Sequence, residues 1–147
     1  MIKKIKELLF SEDPNFFVLI HDLSELSTID SITALFMSLE DNYDYYDEMN
    51  AIMHATERAE PRIVYLSLTH NLQTLLQQSP NWCRTILRRH LSAVKSQGRF
   101  DALDFITCAK SDDEAFEIVQ KLALELCEKY DFTEEVTLSL WGWTAYF

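Results

Sequence analysis

The sequence predicts an all-α protein with a single domain that spans residues 1–147. Glycine occurs twice and proline three times, so the tight turns that all-β folds and phosphate-binding loops require are scarce. Apolar residues recur at helical spacing through most of the chain, and capping residues separate the runs. A chain of this length buries about 70% of its unfolded surface, which suffices for an ordinary core.

The first 26 residues predict two helices. Residues 1–10 have basic residues followed by a few apolar ones, and Ser11-Glu12-Asp13-Pro14 interrupts them before the apolar core of a signal peptide is complete. We therefore expect a short amphipathic helix, with a second helix starting at Asp13-Pro14. One side of this second helix comprises Phe17, Ile20, His21 and Ser24, with Phe16, Leu19, Leu23 and Leu26 beside it.

Two further helices are predicted before Pro61. Ser27-Thr28 together with Asp30 offer N-caps to a helix that reaches Leu39. Residues 40–48 are acidic and aromatic without apolar periodicity, so they predict a loop leading into the next helix. Pro61 ends that helix, because the residue before proline avoids the α region. Its inner face comprises Tyr46, Met49, Ile52, Met53 and Thr56.

The segment from Pro61 to Arg99 is predicted to organise the fold. It contains two helices, six basic residues and no acidic residue. Ser79 can act as N-cap of the second helix, with Pro80 at its first position, and Gly98 is placed as a C′ cap. The inner stripes are Val64, Leu68, Leu72, Leu75 and Leu76 in the first helix, and Cys83, Ile86, Leu87, His90, Leu91 and Val94 in the second.

The remaining residues predict a short helix reaching Ala109 and two further segments. Ser111 and Glu114 have the spacing of a capping box, and Thr133 can cap the last segment. Residues 136–141 also fit a strand, but nothing in the sequence supplies a partner strand. The inward residues are Phe100, Leu103, Ile106, Phe116, Val119, Leu122, Ala123, Leu126, Tyr130, Val136, Leu140, Trp143 and Phe147.

Seven or eight short helices joined by short turns predict antiparallel helix pairs. Such pairs stack as a small α-solenoid of the HEAT or armadillo kind, or they form an irregular bundle. The sequence shows no clean internal period that would decide between the two architectures.

The charge of the chain argues against a nucleic-acid-binding surface. Its net charge is -11, whereas phosphate binding needs clustered Lys and Arg. Residues 1–60 hold 4 basic and 13 acidic residues, residues 61–100 hold 6 and 0, and residues 101–147 hold 3 and 11. Three scattered cysteines and no apolar run near the roughly 20 residues of a membrane span predict a soluble cytoplasmic protein.

The sequence contains little that indicates catalysis. The four histidines are 33, 16 and 20 residues apart and no Cys-x-x-Cys occurs, so we expect no metal and no cofactor. Cys83 lies on an apolar stripe, which favours a core thiol over a nucleophile. His54 and Glu57 form either an acid/base pair or a polar contact with an arginine such as Arg62 or Arg88. We favour the structural contact and predict no enzyme.

The basic and acidic segments indicate binding instead. Arg84, Arg88 and Arg89 can bind an anion or meet the acidic end segments of the chain, and we favour the internal contact. The predicted binding surface, called the acidic strip here, comprises Glu40, Asp41, Tyr43, Asp44, Tyr45, Tyr46, Asp47 and Glu48. Its aromatic side chains and negative field suit a basic protein partner such as a nuclease. A merely solvated loop fits the same residues.

Two segments resemble the immunity protein 30 family of bacterial polymorphic toxin systems. They run from Asp47 to Glu57 and from Leu72 to Arg89. In that family a His-x-x-Glu helix precedes a Leu-rich helix, a Ser-Pro-x-Trp turn and a helix with a central arginine. The resemblance covers roughly residues 30–95, and after Arg89 the chain has His90-Leu91 where the family often has Leu-Asn. The matching motif residues are His54, Glu57, Ser79, Pro80, Trp82 and Arg88.

The resemblance implies a small helical protein without enzymatic activity that neutralises a cognate toxin domain. Toxins delivered by contact-dependent growth inhibition are one candidate class. We expect this protein to be a monomer that forms a 1:1 complex with its toxin. If the motif residues maintain the structure that the family shares, the residues that recognise the toxin lie outside the motif. The acidic strip is then the first candidate for the toxin-binding surface. The alternative functions are a helical-repeat adaptor for a cellular protein and a hydrolase that uses His54 and Glu57.

Overall fold

The computed structural model describes residues 1–142, apart from the side chain of Tyr43, and these residues form helices joined by turns and loops, with no strand. The all-helical prediction is therefore confirmed, and the last described segment is a helix rather than a strand. Trp143 and Phe147, which we predicted to face inward, lie outside the described residues. The described helices are nine in number: α1 (Ile2–Phe10), α2 (Asn15–Leu26), α3 (Ile29–Met37), α4 (Tyr46–Arg58), α5 (Pro61–Gln78), α6 (Pro80–Leu91), α7 (Ala102–Ala109), α8 (Asp113–Leu126) and α9 (Glu134–Trp141).

The helices pack mainly against neighbours one and two positions away along the chain. Pairs two positions apart include α2 with α4, α3 with α5, α5 with α7, α6 with α8 and α7 with α9. This pattern is typical of stacked helix pairs in α-solenoids, where each unit contacts the next. The pair formed by α4 and α6 departs from it, because these two helices approach each other far less closely. None of the nine helices has both the length and the apolar character needed to cross a bilayer.

The longest helix, α5, lies at the centre of the packing. It contacts α3, α4, α6, α7 and α8, which agrees with the predicted organising role of the middle segment. Val64, Leu68, Leu72 and Leu75 are buried on it as predicted, while Leu76 is half-buried. Hydrogen bonds add specificity to this apolar packing: Ser67 on α5 meets Thr33 on α3 at 2.8 Å between their hydroxyl oxygens.

Several predicted helix boundaries are confirmed by their caps. The Thr28 hydroxyl accepts a hydrogen bond from the Ser31 amide at 3.0 Å, and the Thr133 hydroxyl accepts one from the Val136 amide at 3.2 Å. Pro61 is the first residue of α5 and α4 ends at Arg58, as expected for a proline that separates two helices. These caps depend on nearby residues alone, which explains why the sequence reveals them.

Two other predicted boundaries are wrong. Helix α6 ends at Leu91, so Val94 is exposed, and Gly98 follows a 3-10 turn in extended backbone instead of acting as a C′ cap. After α6 the chain turns back, and the Ala102 amide donates to the Ala93 carbonyl at 3.0 Å. The cap of α8 is Asp112, whose carboxylate accepts from the Ala115 amide at 3.1 Å, whereas the Ser111 hydroxyl donates to the Cys108 carbonyl.

The side of α2 that faces the core also differs from the prediction. Phe16, Ile20, Leu23 and Ser24 are buried, while Phe17 and His21 are exposed. The Ser24 hydroxyl donates to the Ala55 carbonyl at 2.7 Å and thereby ties α2 to α4. Packing against α1, α3 and α4 selects the buried face of α2, because this helix carries apolar residues on too many sides for its own pattern to select one.

His90 is a buried histidine in an aromatic cage. Its ring lies 5.2 Å from the Phe105 ring, 5.4 Å from the Phe100 ring and 6.1 Å from the Tyr65 ring, measured between centroids. The Nδ1 atom is 3.0 Å from the Ile86 carbonyl, so it donates its proton there, and Nε2 has no hydrogen-bond partner among the described residues. Burial lowers the pKa of His90, outweighing the Ile86 bond and the nearby Glu57 carboxylate, which raise it.

We expect His90 to make the protein less stable below about pH 6.5, the ordinary pKa of histidine in an unfolded chain. Below that pH the unfolded chain binds a proton at His90 that the folded protein excludes, so the free energy of unfolding decreases as the pH is lowered. The limiting slope from this residue is about 1.4 kcal/mol per pH unit. Urea unfolding at pH 7.5 and 5.5 measures it. The slope is expected to shrink in His90→Phe and to persist in the exposed control His70→Gln; an unchanged slope in His90→Phe contradicts this assignment.

Candidate functional site

The acidic strip connects α3 to α4 and forms the first turn of α4. Residues 43–45 make a 3-10 turn, and α4 begins at Tyr46. Asp44, Tyr46 and Asp47 are exposed, and Glu48 is half-buried. The side chain of Tyr43 lies outside the described residues. Tyr46 was predicted to face the core, but half of it (52%) remains accessible to solvent.

Some residues of the strip have structural contacts of their own. The Glu40 carboxylate pairs with the Lys6 ammonium group of α1 at 3.2 Å. Tyr45 is half-buried, and its ring meets the exposed ring of Phe10 edge to face at 5.8 Å between centroids. Neither Asp44 nor Asp47 takes part in an ion pair within residues 1–142. The strip therefore offers two exposed carboxylates beside aromatic side chains.

Asp41 caps helix α6 from a distant part of the chain. Its carboxylate accepts hydrogen bonds from the Asn81 amide at 2.8 Å and the Trp82 amide at 3.2 Å. Ser79 was predicted to supply this cap, but its buried hydroxyl donates to the Leu39 carbonyl instead. The Gln78 side chain adds a hydrogen bond to the Met37 carbonyl at 2.7 Å. The Ser-Pro-x-Trp turn thus holds the beginning of the acidic strip in place.

We expect Asp41→Ala to lower the free energy of unfolding by about 1 kcal/mol, the typical cost of losing an N-cap. The two α6 amides that it leaves without a protein acceptor are the physical reason. Chemical denaturation measures the change, and Asp44→Ala is the control, since Asp44 is exposed and caps no amide of α6. Equal stabilities of the two variants would show that the hydrogen bonds from the α6 amides to Asp41 do not contribute to the free energy of unfolding.

A cleft of about 340 Å³ lies between α4 and α6, next to the acidic strip. It occupies the place where close packing of these helices would continue the pattern seen in the other helix pairs. Sequence reasoning missed this cleft, although three motif residues, His54, Trp82 and Arg88, line it. The complete lining is Asp41, Asn42, Tyr46, Asn50, Met53, His54, Asn81, Trp82, Thr85, Arg88 and Arg89.

Aromatic rings form one wall of the cleft. The Tyr46 ring lies 5.8 Å from the Trp82 ring between centroids, with 32° between their planes. Trp82 is buried, whereas Tyr46 covers it from the solvent side. Aromatic side chains in such half-exposed positions are frequent anchors in protein interfaces. The pair joins the acidic strip to the cleft as one continuous surface.

Glu57 links α4 to α6 at the end of the cleft. Its two carboxylate oxygens accept from Nε and Nη2 of Arg89, both at 2.9 Å, and Nδ1 of His54 lies 3.3 Å from Oε1. The predicted polar contact of Glu57 with an arginine is therefore present, but the partner is Arg89 instead of Arg62 or Arg88. A bidentate arginine occupies both oxygens, which favours the structural interpretation of His54 and Glu57 over an acid/base pair.

The three arginines of α6 have three different partners. Arg84 pairs with Glu125 of α8 at 3.1 Å, and Arg89 pairs with Glu57. These two pairs join the basic middle of the chain to both acidic end segments, as we favoured. Arg88 instead places its guanidinium carbon 4.9 Å from the ring centroid of Tyr130. Tyr130 lies beyond the end of α8 and is exposed, contrary to its predicted place on the inner face.

The other candidates for chemistry do not form a reactive site in the described part of the chain. Cys83 is fully buried, and burial raises the pKa of its thiol to about 12, so the reactive thiolate is disfavoured. Cys108 is half-buried and Cys127 is exposed. Residues 1–142 contain no group of three or more His, Cys, Asp or Glu side chains arranged to hold a metal ion.

One of three comparisons with known proteins identifies a family for this chain. A family model described as Immunity protein 30 matches residues 8–100, which is more than half of the chain. The matched segment includes the acidic strip, the cleft, α4 and α6, and it extends beyond the stretch that the sequence motifs had indicated. No curated protein and no solved structure shows significant similarity to the chain.

Proposed function

Because the chain belongs to the immunity protein 30 family, we propose that it binds and neutralises a cognate bacterial toxin domain through the acidic strip and the cleft beside it. The toxin is a basic nuclease, and binding blocks its active site or its substrate surface. The protein acts by 1:1 binding as a monomer in the cytoplasm, without catalytic turnover. Toxins of contact-dependent growth inhibition are one source of such a domain.

The observation that carries this proposal is the exposed pair of carboxylates next to aromatic side chains. Asp44 and Asp47 lie at the surface without ion-pair partners in the described part of the chain, and Tyr46 is exposed between them in sequence. A nuclease surface is positive where it meets phosphate, so carboxylates on a complementary protein occupy positions that phosphates would take. Such complementarity also accelerates association at low salt.

Co-expression tests the proposal directly. An immunity gene is expected to follow directly on its toxin gene, so the toxin domain is taken from the gene upstream. It is expressed alone and together with this chain, and growth is expected to be restored only in the second case. An adaptor for a cellular protein would leave the toxin active. Failure to restore growth, with both proteins present in soluble form, would contradict the proposed function.

A titration of purified toxin separates binding from catalysis. If the protein acts by binding, nuclease activity is expected to fall linearly and to reach its minimum at about one equivalent. An enzyme that modifies the toxin would inactivate it at far lower ratios and with a time dependence. The His54→Ala variant tests the hydrolase alternative, since full protection by a stable variant would remove its only candidate catalytic pair, His54 and Glu57.

A further inference from the structure

We propose that the cleft between α4 and α6 receives a carboxylate group of the toxin, and that Arg88 binds it. This inference rests on the proposed function and adds the chemistry of the second half of the interface. The acidic strip then holds basic side chains of the toxin, while the cleft holds an acidic one next to them.

Arg88 differs from the other two arginines of its helix. It is half-buried and lines the cleft. Within residues 1–142 its guanidinium group has a ring contact with Tyr130 but neither an ion pair nor a hydrogen bond, whereas Arg84 and Arg89 each pair with a glutamate. A guanidinium group has five N–H donors in one plane, and stacking on an aromatic ring leaves those edges available. The Tyr130 contact therefore leaves the N–H donors of Arg88 available for an acceptor.

The other charged side chains at the cleft already have partners within the protein. The oxygens of Asp41 accept from the Asn81 and Trp82 amides, and Arg89 is held by both oxygens of Glu57. The rest of the lining is apolar or neutral, apart from His54, which contacts Glu57. Arg88 is thus the one lining cation without an anionic partner in the described residues, whereas Asp41, the one carboxylate of the lining, is held by two backbone amides. A carboxylate is the complementary group, and Arg binds carboxylates by paired hydrogen bonds.

The cleft also suits an acidic side chain in size and polarity. Its volume of about 340 Å³ exceeds the space of one Asp or Glu side chain, so a short stretch of toxin backbone enters with it. Met53 and Trp82 provide apolar contact for the methylene groups of the acidic side chain. The side-chain amides of Asn50 and Asn81 provide further hydrogen-bonding groups. The exposed carboxylates of Asp44 and Asp47 lie on the adjoining strip.

A toxin segment that fits both parts carries an acidic residue flanked by basic ones. Enzymes that cleave phosphodiesters combine these residue types, because basic groups bind the phosphates while carboxylates hold metal ions or transfer protons. The chemical pattern of strip and cleft is therefore complementary to such an active site. The proposed occupant is a carboxylate of the toxin, and the experiment below distinguishes it from a free phosphate or a nucleic acid.

The test compares Arg88→Gln with Arg84→Gln in binding to the purified toxin domain encoded upstream. Both variants lose one charge on the same helix, but Arg84 does not line the cleft. We expect Arg88→Gln to raise Kd at least tenfold and Arg84→Gln to change it less than twofold. Asn81→Trp, which fills the cleft from an exposed position and leaves Arg88 in place, is expected to weaken binding as well. Thermal unfolding checks that all variants are folded.

Charge exchange identifies the partner group. Arg88→Glu is combined with toxin variants in which single Asp or Glu residues are replaced by Lys, and one of these is expected to restore affinity at least tenfold. If no such toxin variant restores it, the carboxylate contact is wrong. Inorganic phosphate is the probe for the alternative occupant. If phosphate binds at Arg88 but does not compete with the toxin, the inference is also overturned.

The outcomes separate this inference from the proposed function. Full affinity of both Arg88→Gln and Asn81→Trp, together with rescue of growth by the native protein, would reject the cleft as a carboxylate site and leave the immunity function in place. Absence of rescue by the native protein would reject the immunity function itself and, with it, the inference that rests on it.

Discussion

Asp44→Lys combined with Asp47→Lys is expected to weaken binding of the cognate toxin domain at least tenfold, which corresponds to about 1.4 kcal/mol. Both side chains are exposed and have no ion-pair partner within residues 1–142, so their charges are available to a basic partner. Reversal replaces two attractions with two repulsions at the proposed contact. Surface plasmon resonance measures Kd and the association rate, and the loss is expected to shrink at high salt.

The matched control reverses two exposed acids elsewhere, Asp22→Lys in α2 and Glu117→Lys in α8. This pair changes the net charge by the same amount, but it leaves the strip intact, so affinity is expected to stay within about threefold at physiological salt. Asp47 lies in the first turn of α4, where lysine opposes the helix dipole, and the stability of each variant is therefore measured separately. Unchanged affinity in a folded strip variant would reject the strip as the binding surface.

Phe16→Ala is expected to lower the free energy of unfolding by about 3–5 kcal/mol. The Phe16 side chain is 2% exposed and belongs to the core, so its removal forfeits apolar burial and leaves a cavity. Small domains are stable by only about 5–15 kcal/mol, so the variant is close to unfolding at elevated temperature. Urea titration at constant pH measures the change.

The adjacent residue provides the control for this prediction. Phe17 is on the same helix and half (50%) of it is exposed. Its ring meets the Phe16 ring edge to face at 5.1 Å between centroids, so Phe17→Ala is expected to cost about 1 kcal/mol or less. Similar losses in the two variants would show that α2 does not pack with the face that the structure assigns to the core.

Local sequence signals predicted the helices well, but they predicted the contacts between distant parts of the chain less well. The caps Thr28 and Thr133, the boundary at Pro61 and the inner stripe of α5 follow from residues within one or two turns of each other. The errors occur where distant groups compete for the same partner. Ser79 has the position of an N-cap, yet its hydroxyl reaches Leu39, and Asp41 takes over the α6 amides.

The same distinction applies to the candidate site. The sequence showed an acidic aromatic strip, a basic middle segment and a His-x-x-Glu motif. It did not show that Glu57 selects Arg89 or that Arg88 stacks on Tyr130. Arg84, Arg88 and Arg89 look alike in the sequence of α6 and differ in which distant side chain packs against each of them. That choice depends on the positions of α4 and α8, which no short-range pattern encodes.

The amino-acid sequence by itself determined that this protein is helical, where most of its helices begin, and how its charge is distributed along the chain. These properties follow from hydrophobic periodicity, capping chemistry and residue counts, all of which act over a few residues. Tertiary structure alone decided which face of α2 is buried, which acid caps α6, and that α4 and α6 separate to leave a cleft. Packing decided these features because helices of similar hydrophobicity bury different faces according to the neighbours that they meet.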